Sequence, residues 1–379
     1  MLKSQLVNWF NDFIDKDLQS MLLPLSLMQN FMFCPKFRIK NNRITPITYF
    51  HKFVAFVGTV MFIYFYVQRV YMQSFEKNFK NDFFELYTCC YCSFGIAINF
   101  IDSIIQTKLY VNFVLLIQKV HRLLNDEHHF RFYVISNWLR IIAVYGFFIF
   151  ILIEVSVWIQ MPYYYIASCY TMVAFDLNLV YAISLITLLK DKIILWDIHV
   201  SNLQAMQEEN EPKKMYQTYV NILKCYEIYA TCFERNILYY ISEIFVHSLV
   251  YCQVALNTLK AGMLINYMEG AIITLSSVCI WVGKNLMLQL ILCLYCEKFY
   301  IAVEKAQDRC THILTSGNTG SVISTNEIRK LCKNVLRLHR ASFSKIRACG
   351  LFYVDAALQL ALMGLLTNYT IALLQFAFL

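Results

Sequence analysis

The sequence predicts an all-α membrane protein with seven transmembrane helices, its N-terminus cytoplasmic and its C-terminus extracellular. Three observations lead there. Hydrophobic residues fill 59% of the 379 positions and charged residues only 15%, more apolar surface than a soluble core can hide. With 10 Gly and 5 Pro, turn formers are too scarce for a many-stranded barrel, which leaves helices, able to satisfy their own backbone in lipid. Finally, Lys and Arg fall very unequally on the two sides that the spans define.

Residues 1–45 read as a cytoplasmic N-terminal segment. Six spans of the length a bilayer needs then occupy 46–349, at about 46–68, 84–106, 136–160, 163–189, 236–258 and 268–295. The seventh takes 350–379. Segments facing the N-terminal side hold 26 Lys and Arg against 3 on the other side, Lys77, Lys80 and Lys260, and basic residues stay on the cytoplasmic side. The net charge of +8 is therefore a cytoplasmic-leaflet signature. No nucleic-acid motif accompanies it, so no nucleic-acid partner is expected. Asp12, Asp15 and Asp17 interrupt the start of the chain and argue against a signal peptide. The 14 cysteines lie in spans, at a helix entrance or on the reducing side, so no structural disulfide is expected.

The loops on the outer side are short, whereas the internal segments 190–235 and 296–349 are long and helix-patterned. Ile328, Leu331, Cys332, Val335 and Leu336 alternate with Arg329, Lys330, Lys333, Arg337 and Arg340, an apolar face against a basic one. These segments are predicted to extend the helices beyond the membrane and to pack together, with breaks near 207–212 and 316–324.

Charges inside spans are costly and need partners or water. Lys284, Glu243 and Asp176 fall at similar depth on the sixth, fifth and fourth spans. An intramembrane pair of Lys284 with Glu243 or with Asp176 is expected, and an ion pathway is the sharper alternative. Nearer the outer ends, Glu154 and Trp158 sit on the third span, with Tyr165 and Tyr170 on the fourth, Tyr91 on the second and Tyr251 on the fifth. Rings with one polar tip suit a small-molecule pocket. They also suit an ordinary interfacial belt, which explains Glu154 poorly.

Enzymatic constellations are missing. His128-His129 has no second ligand pair, Cys293-x-x-Cys296 has no partner motif, and no phosphate loop occurs. No catalytic residue, metal or cofactor is expected.

The last span is the sharpest element. Asn368 and Gln375 are seven residues apart and so within about 20° of each other on a helix; Ile371 and Ala372 lie between them. Two aligned amides on an apolar helix suit a water path that hydrophobic neighbours could close by dewetting. Gluing helices together is the other possibility. The sequence closes three residues after Phe376, so no tail for an intracellular partner is expected.

Tyr369-Thr370-Ile371-Ala372-Leu373-Leu374-Gln375-Phe376 resembles the TYhhhhhQF signature of the insect gustatory receptor family. The run from Leu331 into Phe352-Tyr353-Val354-Asp355 is similar to that family's approach to its final helix. Phe33-Cys34-Pro35-Lys36 resembles the opening of bitter-type members from moths and butterflies. Asn368 stands where the family usually has Thr. Thr370 stands where sugar-type members carry an acidic residue, which leans toward bitter plant compounds.

The resemblance implies a ligand-gated, non-selective cation channel of four subunits, homomeric or mixed with related receptors, in the plasma membrane of gustatory neurons. It implies that Asn368, Ile371, Ala372, Gln375 and Phe376 line or gate a pore, that the long internal segments form an anchor, and that a small tastant binds among helices two to six. An odorant receptor of the same superfamily is the nearer rival, which Tyr369–Phe376 disfavours. A G-protein-coupled receptor would put the basic side outside, so no G protein is expected. A transporter would give flux without channel conductance.

Overall fold

The computed structural model of the chain describes residues 13–75, 82–124, 130–158, 162–203, 210–265, 268–316 and 322–378. Ten helices occur among them: α1 Lys16–Phe31, α2 Tyr49–Phe75, α3 Asp82–Ile105, α4 Thr107–Leu124, α5 Phe130–Trp158, α6 Tyr163–Asn202, α7 Glu211–Ile265, α8 Met268–Thr315, α9 Val322–Ser342 and α10 Ala356–Phe378. Two hairpins interrupt them, β1 Arg38–Lys40 with β2 Arg43–Thr45 and β3 Arg347–Ala348 with β4 Phe352–Tyr353. Seven helices, α2, α3, α5, α6, α7, α8 and α10, are long and apolar enough to cross a membrane. They coincide with the seven predicted spans.

The bundle is built around α6. Its most apolar window is 94% buried, against 11% for α10, and it packs against α1, α2, α4, α5, α7 and α8. That burial explains why α6 reads as apolar on every side. By contrast α10 touches α7 and α8 through Gln359, Leu362 and Leu366, spaced three and four residues apart, and leaves its other face open.

The internal segments are helical and continue the spans, as expected. α7 runs 55 residues and α8 runs 48 without a break. α9 packs on both, burying Ile328, Leu331, Cys332 and Val335, so the apolar face read from the sequence is a packing face. An ion pair between Arg309 and Asp197 joins the far ends of α8 and α6.

Two features add to the sequence reading and a third corrects it. Within the N-terminal segment, α1 buries Leu18, Met21, Leu22 and Leu25 against α5 and α6. Its Gln29 Nε2 donates to Asn178 Oδ1 of α6 at 3.1 Å, and Asn137 Nδ2 of α5 donates to the Met21 carbonyl at 3.0 Å. Residues 107–124 also form a helix, α4, which lies along α7; its strong two-faced pattern is that of a surface helix, not a span.

Third, the last helix begins at Ala356 and not at Gly350. Residues 347–353 form the β3–β4 hairpin, turned by Cys349 and Gly350 at φ +47° and +79°, a left-handed backbone that glycine adopts without cost. Asp355 then caps α10, accepting from the Leu358 N–H at 3.2 Å. The hairpin is held from below by Tyr300 of α8. Its hydroxyl donates to the Val354 carbonyl at 3.1 Å and accepts from the Ile346 N–H at 3.2 Å.

Candidate functional site

Within the spans, α3, α7 and α8 bring a set of rings to one place, and His247 sits inside it. On α7, Glu243, His247 and Tyr251 follow one another at four-residue steps, which stacks them on one helix face. Tyr87 and Tyr91 sit at the same step on α3. Ring centroids lie 5.9 Å from His247 at Tyr87, 5.5 Å at Tyr91, 5.9 Å at Tyr251 and 6.0 Å at Trp281 of α8. Tyr251 and Trp281 meet edge to face at 4.8 Å. Below, Tyr91 stacks on Tyr239 at 5.2 Å, and Tyr239 meets Phe175 of α6 at a tilt, also at 5.2 Å. Such pairs contribute about 0.5–1.5 kcal/mol each beyond burial.

The stack needs a glycine. A Cβ at Gly95 of α3 would collide with the Tyr239 ring, so its absence lets Tyr239 reach across and donate to the Tyr91 carbonyl at 3.2 Å.

The polar geometry around His247 defines its chemistry. Nδ1 lies 3.3 Å from the Glu243 carbonyl and 3.6 Å from its carboxylate, both acceptors, so Nδ1 carries the proton. Nε2 is then a lone-pair acceptor. It is fully buried and has no hydrogen-bond partner among the described residues. A buried polar atom without a partner costs about 1–3 kcal/mol, and a ligand bearing an O–H or N–H donor would relieve that. At the rim, the Arg69 guanidinium of α2 lies over the Tyr165 ring at 4.2 Å, and Nη1 donates to Ser168 Oγ of α6 at 3.3 Å.

Of the six residues expected to line a pocket, Tyr91 and Tyr251 meet at His247, and Tyr165 meets Arg69. Tyr170 does not join them. It packs with Phe31, Phe62 and Phe148, because α6 turns that position toward α1, α2 and α5. The side chains of Glu154 and Trp158 lie outside the described residues. His247, Arg69 and Trp281 were missed. The four-residue spacing of Glu243, His247 and Tyr251 was the signal that could have found the first.

Of the two pairings open to Lys284, the structure forms the one with Asp176, Nζ to Oδ2 at 2.6 Å across α8 and α6. Glu243 instead faces His247.

On α10, Asn368 and Gln375 are exposed on the single chain, and Ile371 is 48% exposed. Neither amide hydrogen-bonds another helix among the described residues, so within one chain they do not glue helices. Ala372 is half-buried; the Phe376 side chain lies outside the described residues. Tyr369, one residue after Asn368, meets Phe245 of α7 edge to face at 5.8 Å. Phe245 and His247 are two residues apart, about 200° around the helix, so α7 stands between the ring cluster and the last helix.

Fold and site together define a multi-pass helical membrane protein with a buried aromatic cluster linked through one helix to its most exposed span. Set against known proteins, the chain matches no protein-family model and no curated relative.

Proposed function

We propose that this chain is a gustatory receptor of the insect type: a tetrameric, ligand-gated, non-selective cation channel of the plasma membrane, opened by a small tastant such as a bitter plant compound. The observation that carries the reading is the placement of the Tyr369–Phe376 signature. It lies on α10, the helix least covered by its own chain, with Asn368 and Gln375 together on the open face. An uncovered span with two aligned amides suits a wall of a hydrated axis shared with other copies.

The ring cluster around His247 is the ligand site in this reading. Its aromatic faces and single open acceptor suit a flat organic molecule with a hydrogen-bond donor. Phe245 against Tyr369 then supplies the mechanical link: a shift of α7 on ligand binding bears on α10 through packed rings, which move as units rather than deform. The charge bias favours a cytoplasmic N-terminus, and in this reading the helices of 190–235 and 296–349 serve as the anchor.

Voltage-clamp recording from cells expressing this chain alone tests the reading. Agonist-evoked cation current that persists when G-protein signalling is blocked supports it. A response that requires a G protein, or an epitope after Leu379 that antibodies reach only after permeabilisation, overturns it.

A further inference from the structure

A cavity lies away from the ring cluster, between α7, the end of α9 and the β3–β4 hairpin, with a volume of about 420 Å³. The α7 wall carries two carboxylates and, one turn before the first, Lys224, while the opposite wall is basic. On α7, Glu227 and Glu234 are two turns apart on one face, with Thr231 between them. Facing them are Lys345 and Arg347 of the segment that leads into α10.

These charges are under-used. Glu227 and Glu234 make no ion pair or side-chain hydrogen bond among the described residues. Lys345 makes only long ion pairs, to Glu297 and Asp355 at 3.7 and 3.9 Å, and lies 5.3 Å above the Tyr300 ring. The Arg347 guanidinium lies over the Tyr353 ring at 4.6 Å and bonds its hydroxyl, which leaves further N–H donors of its fork available.

The cavity also sits at the edge of the apolar zone. Leu351 at the hairpin tip is 71% exposed and Tyr353 is 43% exposed, the profile of side chains that rest in a membrane interface. Ala356, five residues past the tip, opens a span.

We infer that this cleft binds a phosphoester carrying a primary ammonium group, the chemistry of a phosphoethanolamine headgroup. The phosphate takes the Lys345 and Arg347 wall. The ammonium takes the Glu227 and Glu234 wall, whose carboxylates accept its three N–H donors. A quaternary ammonium has no such donors and calls for an aromatic cage, and a purely anionic headgroup would face two unanswered carboxylates. Because the cleft joins α7 to the hairpin that carries α10, its occupant ties the base of the last helix to the bundle. The inference stands whether or not the chain conducts ions.

Purified full-length protein in detergent, with native mass spectrometry as the readout, tests it against ethanolamine, choline and glycerol phospholipids of identical acyl chains, and against water-soluble glycerophosphoethanolamine. The expected result is at least about tenfold higher occupancy by the ethanolamine lipid than by either other lipid. The preference falls to about onefold in the Glu227→Gln/Glu234→Gln and Arg347→Gln variants, and Thr231→Trp, which fills the cleft, blocks binding in a chain whose charges are intact. Binding of the ethanolamine lipid without the soluble ester assigns the site to bilayer lipid, and binding of the soluble ester as well assigns it to the headgroup chemistry from either source. Equal retention of all three lipids, or a preference that survives these substitutions in protein that elutes as wild type, overturns the inference.

Discussion

Lys284 of α8 donates to Asp176 of α6 at 2.6 Å, with the two side chains only 16% and 10% exposed. The pair clamps the central helix of the bundle to the helix that also presents Trp281 to the ring cluster. Removing one partner of a buried pair leaves the other charge stranded, at about 3–5 kcal/mol. Asp176→Asn is therefore expected to lower the yield of monodisperse protein sharply, measured by size-exclusion chromatography. The double variant Asp176→Leu/Lys284→Met should recover most of it. Recovery by the double variant is the deciding result, since it separates a stranded charge from a general packing defect.

Glu243 has a different role from the one its depth suggests. Because it faces His247 rather than Lys284, Glu243→Gln should leave yield near wild type while shifting agonist sensitivity. His247→Phe should shift that sensitivity by about tenfold or more, since it removes the open acceptor and keeps the ring. Concentration–response curves for each agonist and its O-methyl ether check this. Wild-type protein should favour the donor-bearing member of the pair, and His247→Phe should not.

Gly95→Ala places a methyl group where the Tyr239 ring stands. The ring must move off Tyr91, at a cost of about 1–3 kcal/mol. A lower thermal midpoint together with altered agonist sensitivity is expected. An unchanged midpoint would mean that the stack is not needed.

Phe245→Ala removes the contact with Tyr369 and leaves the ring cluster on the opposite face of α7 in place. Maximal agonist-evoked current should fall at unchanged surface expression, while the binding constant of the same agonist stays within about twofold. Gln375→Ala, which lies beyond that contact on the open face of α10, should instead change relative cation permeability with agonist sensitivity kept. Reversal potentials in mixed salts measure it.

Lys36 offers a test of stability against pH. It is buried, with Nζ lacking a hydrogen-bond partner among the described residues and lying 5.1 Å above the Tyr110 ring. Burial holds its pKa below the usual lysine value. Between that lowered pKa and the unfolded value of about 10.4, the unfolded chain binds a proton that the folded chain does not. Stability from this site therefore rises with pH across that window and falls as pH drops through it. Lys36→Met should flatten the slope just below the unfolded lysine pKa of about 10 and raise stability below that window by about 1–3 kcal/mol. Thermal unfolding within and below that window measures it.

Much of this architecture is legible in the chain because lipid imposes it residue by residue. A span such as 163–189 must be apolar over most of its length and a segment such as 328–336 must show one apolar face, so both announce themselves in local pattern. α1 and α4 were harder to see. Each is short, and in α1 the buried Leu18, Met21, Leu22 and Leu25 stand beside exposed Leu23 and Leu27, so the sequence does not mark which face is covered. The hairpin ahead of α10 was hidden for another reason: Leu351-Phe352-Tyr353-Val354 is as apolar as a helix, and only the left-handed Cys349 and Gly350 turn it back.

Composition and the order of its apolar stretches by themselves determined that this protein carries seven stretches long and apolar enough to cross a membrane, and which amides share a face of the last helix, since both follow from a helix's fixed pitch and the bilayer's fixed thickness. Partnership was decided only in three dimensions. Lys284 chooses Asp176 over Glu243, His247 gathers the rings of three helices, and Tyr170 turns away from them, because helix rotation and tilt are set by packing between elements far apart in the chain, which no local periodicity records.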